Sequence, residues 1–342
     1  MKQYLDLLST ILRKGVEKES GRLNMPNTIG ISNAIIKMNL LDGFPLLTTK
    51  KVYFKGIIHE LLWFLRGDVN IKYLIENNVN IWNDDAFRWY NTEYVSKYYA
   101  PSLTQEEFNK RVMLGEKYIY YKNKSRNVYT YGDLGKVYGY QWRRQNGIDQ
   151  INYVINSLKT NPYSRYHIIN AWNASDFNEM ALPPCHLLYH FIVIPLSIEE
   201  RIKFGNISNS NKKYSHDELD EMKIPKFYLD LNMYQRSADV FLGVPFNLAS
   251  MSTLLMIIAK TCNMIPHIAT WIGGDTHLYV EHKQQAQIQL ERTPYPLPNL
   301  KINKELNSLD DIVKLTIDDF ELINYQHYDV IKANLFTGLN YK

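Results

Sequence analysis

Ala181-Leu182-Pro183-Pro184-Cys185-His186 sets one thiol behind two prolines and directly ahead of the apolar run Leu187, Leu188, Tyr189, Phe191, Ile192, Val193. Proline restricts its own backbone, so the pair makes a stiff turn, and the run after it predicts a buried strand. A cysteine held this way is either a small packed hydrophobe or an aimed nucleophile. Farther along, Tyr234-Gln235-Arg236-Ser237-Ala238-Asp239 and Leu242-Gly243-Val244-Pro245-Phe246-Asn247 bring an arginine, an acid and an amide into a short span. A guanidinium beside a thiol lowers its pKa, and the thiolate is the form that attacks electrophiles.

The chain has 342 residues, 45% hydrophobic and 13% aromatic, enough for one large domain or two modest ones. The formal net charge is +4, with Lys and Arg spread along the sequence, so a nucleic acid partner gains little support while a small anionic ligand remains open. Cys185 and Cys262 are too few for a disulfide framework and fit a reducing cytoplasm. Met1-Lys2-Gln3-Tyr4-Leu5-Asp6 lacks the features of a secretory signal. Apolar segments are interrupted by charge, short of the roughly 20 residues that span a bilayer. No CxxC is present, and His277 and His282 are poorly spaced for one helical face, so no metal site is expected.

Leu5, Leu8, Ile11, Leu12 and Val16 predict an amphipathic helix ending near Gly21, followed by a strand through Ile36. Ile57 to Leu65 predicts a buried helix carrying Glu60, closed by Gly67-Asp68. Strands are predicted at Tyr166–Trp172, Leu187–Ile194 and Phe227–Met233, and a helix at Phe246–Lys260 opened by Pro245. Residues 86–132 read as an insertion with some helix around Glu106–Leu114, and Glu199–Lys226 as a polar loop. No GxGxxG and no P-loop appears. The fold class is α/β (α+β).

Several long motifs in one order resemble those of the thymidylate synthases: residues 42–50 (Asp-Gly-Phe-Pro-Leu-Leu-Thr-Thr-Lys), 59–64, 132–143, the Cys185 turn, 234–239, 243–249 and 273–279. The resemblance covers about residues 1–333 and implies a single domain over 1–342, a mixed sheet with packed helices, and dimerisation through the sheet. The insertion after Trp82 is similar to one in some bacterial members. The implied reaction is one-carbon transfer from 5,10-methylenetetrahydrofolate to carbon 5 of dUMP, with Cys185 bonded to carbon 6 as the nucleophile. Glu60 and Tyr138 are implied as proton-transfer groups, and Asn247 as the reader of the uracil edge. The phosphate falls to Arg22, Arg236 and Ser237, with Arg165 reaching in from the second subunit of a homodimer. Gln235 joins the nucleotide-binding set, His277 and Tyr279 hold the ribose, and Asp239 the pterin. Ile81, Trp82, Gly243 and Phe246 line the folate pocket, with Lys50 near its glutamate tail.

The chain departs from the pattern at Tyr166 (usually a second arginine), Leu23-Asn24-Met25-Pro26-Asn27 (a shortened loop), His190 (usually glutamine), Asp85 (commonly tryptophan) and an extension over 334–342. Three of these touch elements that exclude water from the folate side. If water reaches the pyrimidine methylene before hydride, the product is 5-hydroxymethyl-dUMP rather than dTMP. Alternatives beside the synthase are therefore a dUMP hydroxymethylase, as in viruses with modified bases, and a catalytically inactive relative that binds nucleotide or RNA. A cytoplasmic setting, a host's if the source is viral, follows from the same reading.

Overall fold

Alternating burial along four long segments builds the central sheet. The structure, a computed structural model, describes residues 1–21, 25–207 and 212–337. Ten strands occur among them: β1 (Val16–Lys18), β2 (Thr28–Asn39), β3 (Lys117–Lys122), β4 (Ser125–Thr130), β5 (Ile168–Asn170), β6 (His186–Pro195), β7 (Phe227–Asp239), β8 (Ile265–Tyr279), β9 (Asn299–Ile302) and β10 (Phe320–Ile323). The main sheet has the order β1-β2-β8-β7-β6-β5. Only the β7–β8 pairing within it is parallel.

A parallel pair needs a crossover, and the helix Gly243–Thr261 supplies it. Fourteen of its 19 residues are buried, including Leu248, Met251, Leu254, Leu255 and Ile258. By length and composition this helix could cross a membrane, contrary to the expectation from sequence, but it is packed inside the protein as a core element. The helix Phe54–Leu65 lies against it with nine of 12 residues buried.

The opposite face of the sheet is open. Ile35, Ile272, Tyr234 and Leu188 stand in register across β2, β8, β7 and β6. Their strand neighbours Ile36, Trp271, Met233 and Tyr189 are buried, while Ile35 is 65% and Tyr234 39% exposed. Such a contiguous apolar row is unusual on the free surface of a monomer.

Several expectations require correction. The first helix, Lys2–Lys14, ends at a Gly15 cap and β1 follows, so helix does not run to Gly21. The 199–226 segment is not a plain loop: it carries helices Ile198–Phe204 and His216–Glu221, each opened by a capping box, Ser197 with Glu200 and Ser215 with Glu218. Arg201, 1% exposed, holds the two together by donating to the Pro225, Ile224 and His216 carbonyls and pairing with Asp220. Strand β7 continues to Asp239 rather than stopping at Met233. The β3–β4 hairpin and β8 lie where no strand was predicted. In the 86–132 insertion the expected helix appears at Gln105–Leu114, and the segment builds its own aromatic core around Tyr90, Tyr94, Phe108 and Tyr129.

Residues 134–136 brace the chain that leads into the Pro-Pro turn. The Ala181 amide donates to Leu134 O (2.9 Å) and the Lys136 amide to Glu179 O (2.8 Å). Gly135 has φ +73°, and a Cβ there would lie 2.0 Å from Glu179 O. No side chain fits without moving that backbone. Gly135→Ala is expected to lower stability by about 1–3 kcal/mol, read as a lower Tm in thermal denaturation. Melting at the wild-type temperature would show that this brace does not set the turn.

Candidate active site

The Pro-Pro turn delivers Cys185 to the start of β6, where it is partly exposed. Two side chains clamp the loop from opposite sides. Arg236 donates from Nε to Pro184 O (2.8 Å) and from Nη2 to Pro183 O (2.7 Å), and its own amide donates to Cys185 O (2.9 Å). A permanent positive charge thereby sits on the turn that carries the thiol. On the other side the Tyr138 hydroxyl accepts from the Cys185 amide (2.5 Å) and the His186 amide (3.4 Å). Burial holds Tyr138 well above the usual phenol pKa, with the nearby Cys185 charge acting in the same direction. It stays protonated at neutral pH, next to the sulfur.

Trp271, Gln235 and Asn247 form a relay whose direction is forced. An indole N–H can only donate, and Trp271 Nε1 lies 2.8 Å from Gln235 Oε1. The Gln235 amide nitrogen therefore faces the other way, donating to Asn247 Oδ1 (3.0 Å) and Ser237 O (2.9 Å). This fixes the rotamer of the Asn247 amide. Gln235 is 3% exposed, which makes it a positioning residue for Asn247. His186, next to Cys185 in sequence, also bonds Asn247 and lies 3.2 Å from the Tyr189 hydroxyl through Nδ1. Burial lowers its pKa to about 4, so it is neutral.

Glu60 projects from the apolar helix into the same region, and Trp82 Nε1 donates to its Oε1 at 2.8 Å. Burial raises its pKa to about 7, against the smaller opposing effect of that bond. A carboxyl that titrates there can hold or release a proton at neutral pH. Phe64, Trp82 and Tyr138 form the aromatic wall between Glu60 and the Cys185 loop, with Phe64 and Tyr138 centroids 4.8 Å apart.

A cavity of about 350 Å³ opens at the start of the core helix, lined by Lys50, Lys51, Val52, Tyr53, Leu242, Pro245, Phe246, Val330 and Ile331. Lys50 is 6% exposed, donates to Phe241 O (2.5 Å) and stands 3.5 Å above the Phe241 ring. Burial lowers its pKa to about 7, with nearby Asp239 opposing. Asp239 Oδ1 accepts from the Phe241 amide (2.9 Å) and turns the chain from β7 into the core helix that presents Gly243, Phe246 and Asn247. Ile81 and Trp82 flank the entry to the next helix, Asn83–Trp89. A second cavity of about 520 Å³, lined by Leu242, Gln285 and residues 330–334, lies across the Val330–Ile331 segment.

The structure thus brings Cys185, Glu60, Tyr138, Gln235, Arg236, Asn247 and Trp82 together. His277 and Tyr279, adjoining rings at 5.6 Å, stand at the end of β8, and the His277 carbonyl accepts from the Val240 amide just past Asp239. Ser237 pairs with Asp275 in β8 beside them. Arg165 is exposed in the loop before β5, as is Tyr166. Arg22, Leu23 and Asn24 lie outside the described residues. His190 sits on the open face of the sheet, in register with Ile168 and Asn232, a strand position rather than a partner for the thiol. Trp271, His186 and Tyr189 were not singled out from sequence; only the adjacency of His186 to the cysteine hinted at any of them.

A stiffly held thiol, an acid near neutrality and an amide of fixed direction, gathered in one place, are an arrangement suited to a group-transfer enzyme. A sequence model of the thymidylate synthase family matches residues 2–337. The chain is 40% identical over 335 residues to the thymidylate synthase of Aster yellows witches'-broom phytoplasma, which covers 98% of this chain and 99% of that one. The same figures hold for the enzyme of Mesoplasma florum, and that of Mycoplasma mobile is 41% identical over 336 residues. The chain belongs to the thymidylate synthase family, and it is a methyltransferase of that type.

The elevated Glu60 pKa carries a stability signature. An acid whose folded pKa (about 7) exceeds its ordinary 4.5 binds extra protons when folded, so its contribution falls as pH rises from 4.5 to 7. The full loss is at most about 3 kcal/mol. Glu60→Gln is therefore expected to gain stability relative to wild type between pH 5 and pH 8 in denaturant titrations. A pH-independent difference would show that Glu60 titrates at an ordinary carboxyl value.

Proposed function

We propose that the chain converts dUMP to dTMP, consuming 5,10-methylenetetrahydrofolate and releasing dihydrofolate, with Cys185 as the nucleophile. The observation that carries this reading is the clamped Cys185 loop facing an Asn247 amide whose orientation the Trp271–Gln235 relay fixes. Cys185 adds as thiolate to carbon 6, and the ring electrons shift toward carbon 5 and the carbon 4 oxygen. Carbon 5 takes up the one-carbon unit and then gives its proton away. Tyr138 and Glu60 serve these proton movements, Tyr138 from beside the sulfur and Glu60 through ordered water. Loss of the carbon 5 proton expels the folate nitrogen from the one-carbon unit and leaves an exocyclic methylene, which takes hydride from the tetrahydrofolate as the bond from Cys185 to carbon 6 breaks, giving dTMP and dihydrofolate.

Asn247 donates to one pyrimidine oxygen and accepts from the ring N–H, a pattern matching uracil. Arg22, Arg236 and Ser237 hold the phosphate and His277 and Tyr279 the ribose. The pterin rests by Asp239 and Trp82, and the cavity lined by Lys50 and Phe246, with Ile81 and Gly243 nearby, receives the rest of the folate. Its size and its apolar wall suit a flat ring, and an anionic tail beside Lys50 would favour the charged form that burial opposes. The chain works as one domain over 1–342, in the cytoplasm. Its open row Ile35, Ile272, Tyr234 and Leu188 packs against a second copy, and Arg165 of each subunit completes the other's phosphate site. The relatives' names favour methylation over hydroxymethylation or a binding-only role.

Cys185→Ser is expected to abolish both dTMP formation and the covalent mass adduct with 5-fluoro-dUMP and methylenetetrahydrofolate, leaving dUMP binding near wild type. Turnover above trace in this variant, or 5-hydroxymethyl-dUMP as the main wild-type product, would overturn the mechanism. For the shared site, Arg165→Ala and Cys185→Ser, each inactive alone, are expected to regain about a quarter of wild-type activity after mixing and subunit exchange, because half the dimers then carry one intact site. No recovery despite exchange would place Arg165 outside the partner's site.

A further inference from the structure

The chain past Val330 is tied down by three separate anchors. His282 Nε2 lies 3.0 Å from Asn334 O. Phe336, 9% exposed, stacks on the His282 ring at 5.1 Å and packs on Tyr279 at 4.7 Å. Thr337 Oγ1 donates to Asp84 Oδ2 (2.8 Å), and Thr337 O accepts from Arg88 Nη1 (3.0 Å).

Arg88 does more than hold this strap. It stands on the helix Asn83–Trp89, where the large insertion begins, with its side chain 27% exposed. Its Nη2 pairs with Asp85 (2.5 Å) and donates to Ala181 O (3.3 Å), at the root of the Pro-Pro-Cys turn. One guanidinium thus joins the strap, the insertion and the nucleophile loop. A planar group with several donors in fixed directions suits three such acceptors together. Asp85 occupies the position where the sequence departs from tryptophan, and its carboxylate fixes the direction of Arg88.

We propose that Arg88 is a positioning residue for carbon transfer. It pins residues 334–337 over the folate half of the site and registers them against the Cys185 loop, so that hydride rather than water reaches the pyrimidine methylene. This rests on the proposed function and goes beyond it by giving Asp85, the insertion and the strap one shared task.

The test uses full-length protein with Arg88→Ala, Arg88→Lys, Phe336→Ala and the Arg88→Ala/Phe336→Ala pair, measuring KM for each substrate separately and the ratio of 5-hydroxymethyl-dUMP to dTMP by mass. Arg88→Ala is expected to raise KM for methylenetetrahydrofolate about tenfold, as for loss of a charge-assisted hydrogen bond. It should leave KM for dUMP within about twofold and increase the hydroxymethyl share. Arg88→Lys should restore part of both effects. Phe336→Ala should act in the same direction, and the pair should fall short of the product of the single effects, since both act through one strap. An unchanged folate KM and product ratio in Arg88→Ala would overturn the inference, as would equal rises in both KM values or fully multiplicative effects in the pair. A wild-type protein that forms neither dTMP nor the 5-fluoro-dUMP adduct would instead sink the proposed function itself.

Discussion

The double clamp on residues 183–186 is the constraint on which the rest depends. Arg236 draws two carbonyls of the turn toward one charged group, while Tyr138 takes the next two amides. Backbone groups in a partly buried turn need partners or they cost free energy. Satisfying them with side chains from β7 and from the helix Tyr138–Arg144 makes the sulfur's position a consequence of tertiary packing. The same arrangement puts a cation and a protonated phenol on the loop that carries the thiol, so one set of contacts decides both its position and its charged surroundings.

Around that clamp, burial tunes three groups in directions their types alone would not give. Glu60 is raised to about 7, Lys50 lowered to about 7, and His186 lowered to about 4, with desolvation the leading cause each time. Each sits within a wall of aromatic or aliphatic side chains, where charge is costly. Clustering of perturbed groups marks functional sites more often than structural ones. Cys262 is the counterexample within this protein: burial pushes its thiol up to about 12 against the smaller opposing effect of Lys159, which disfavours the reactive thiolate.

Legibility from sequence varied with how local the deciding interaction was. The core helix, the Glu60 helix and β6 followed from apolar periodicity, with ends displaced by a few residues. The two helices in 199–226 are short and mostly polar, so periodicity missed them, yet Ser197-x-x-Glu200 and Ser215-x-x-Glu218 were visible capping signals. Strand β8 hides its pattern behind Gly273, Gly274 and polar side chains, because it is a central strand braced on both sides by β2 and β7. The β3–β4 hairpin turns at Asn123 and Lys124, both with positive φ, without the Gly that usually announces such a turn.

By itself the sequence determined the chemistry-bearing residues and their order: the thiol on a proline-stiffened turn, the buried acid, the Arg-Ser-Ala-Asp run and the Asn at the head of a helix. These are local facts, written in residue type and spacing, and they sufficed for the family. Tertiary structure alone decided the directions. It put the Gln235 oxygen on Trp271 and hence the Asn247 oxygen toward Gln235, aimed Arg236 at the turn's carbonyls, and gave Arg88 two partners, Ala181 and Thr337, from segments far apart in the chain. Hydrogen bonds of that kind link residues with no regular spacing between them, so no periodicity in the chain could have announced them.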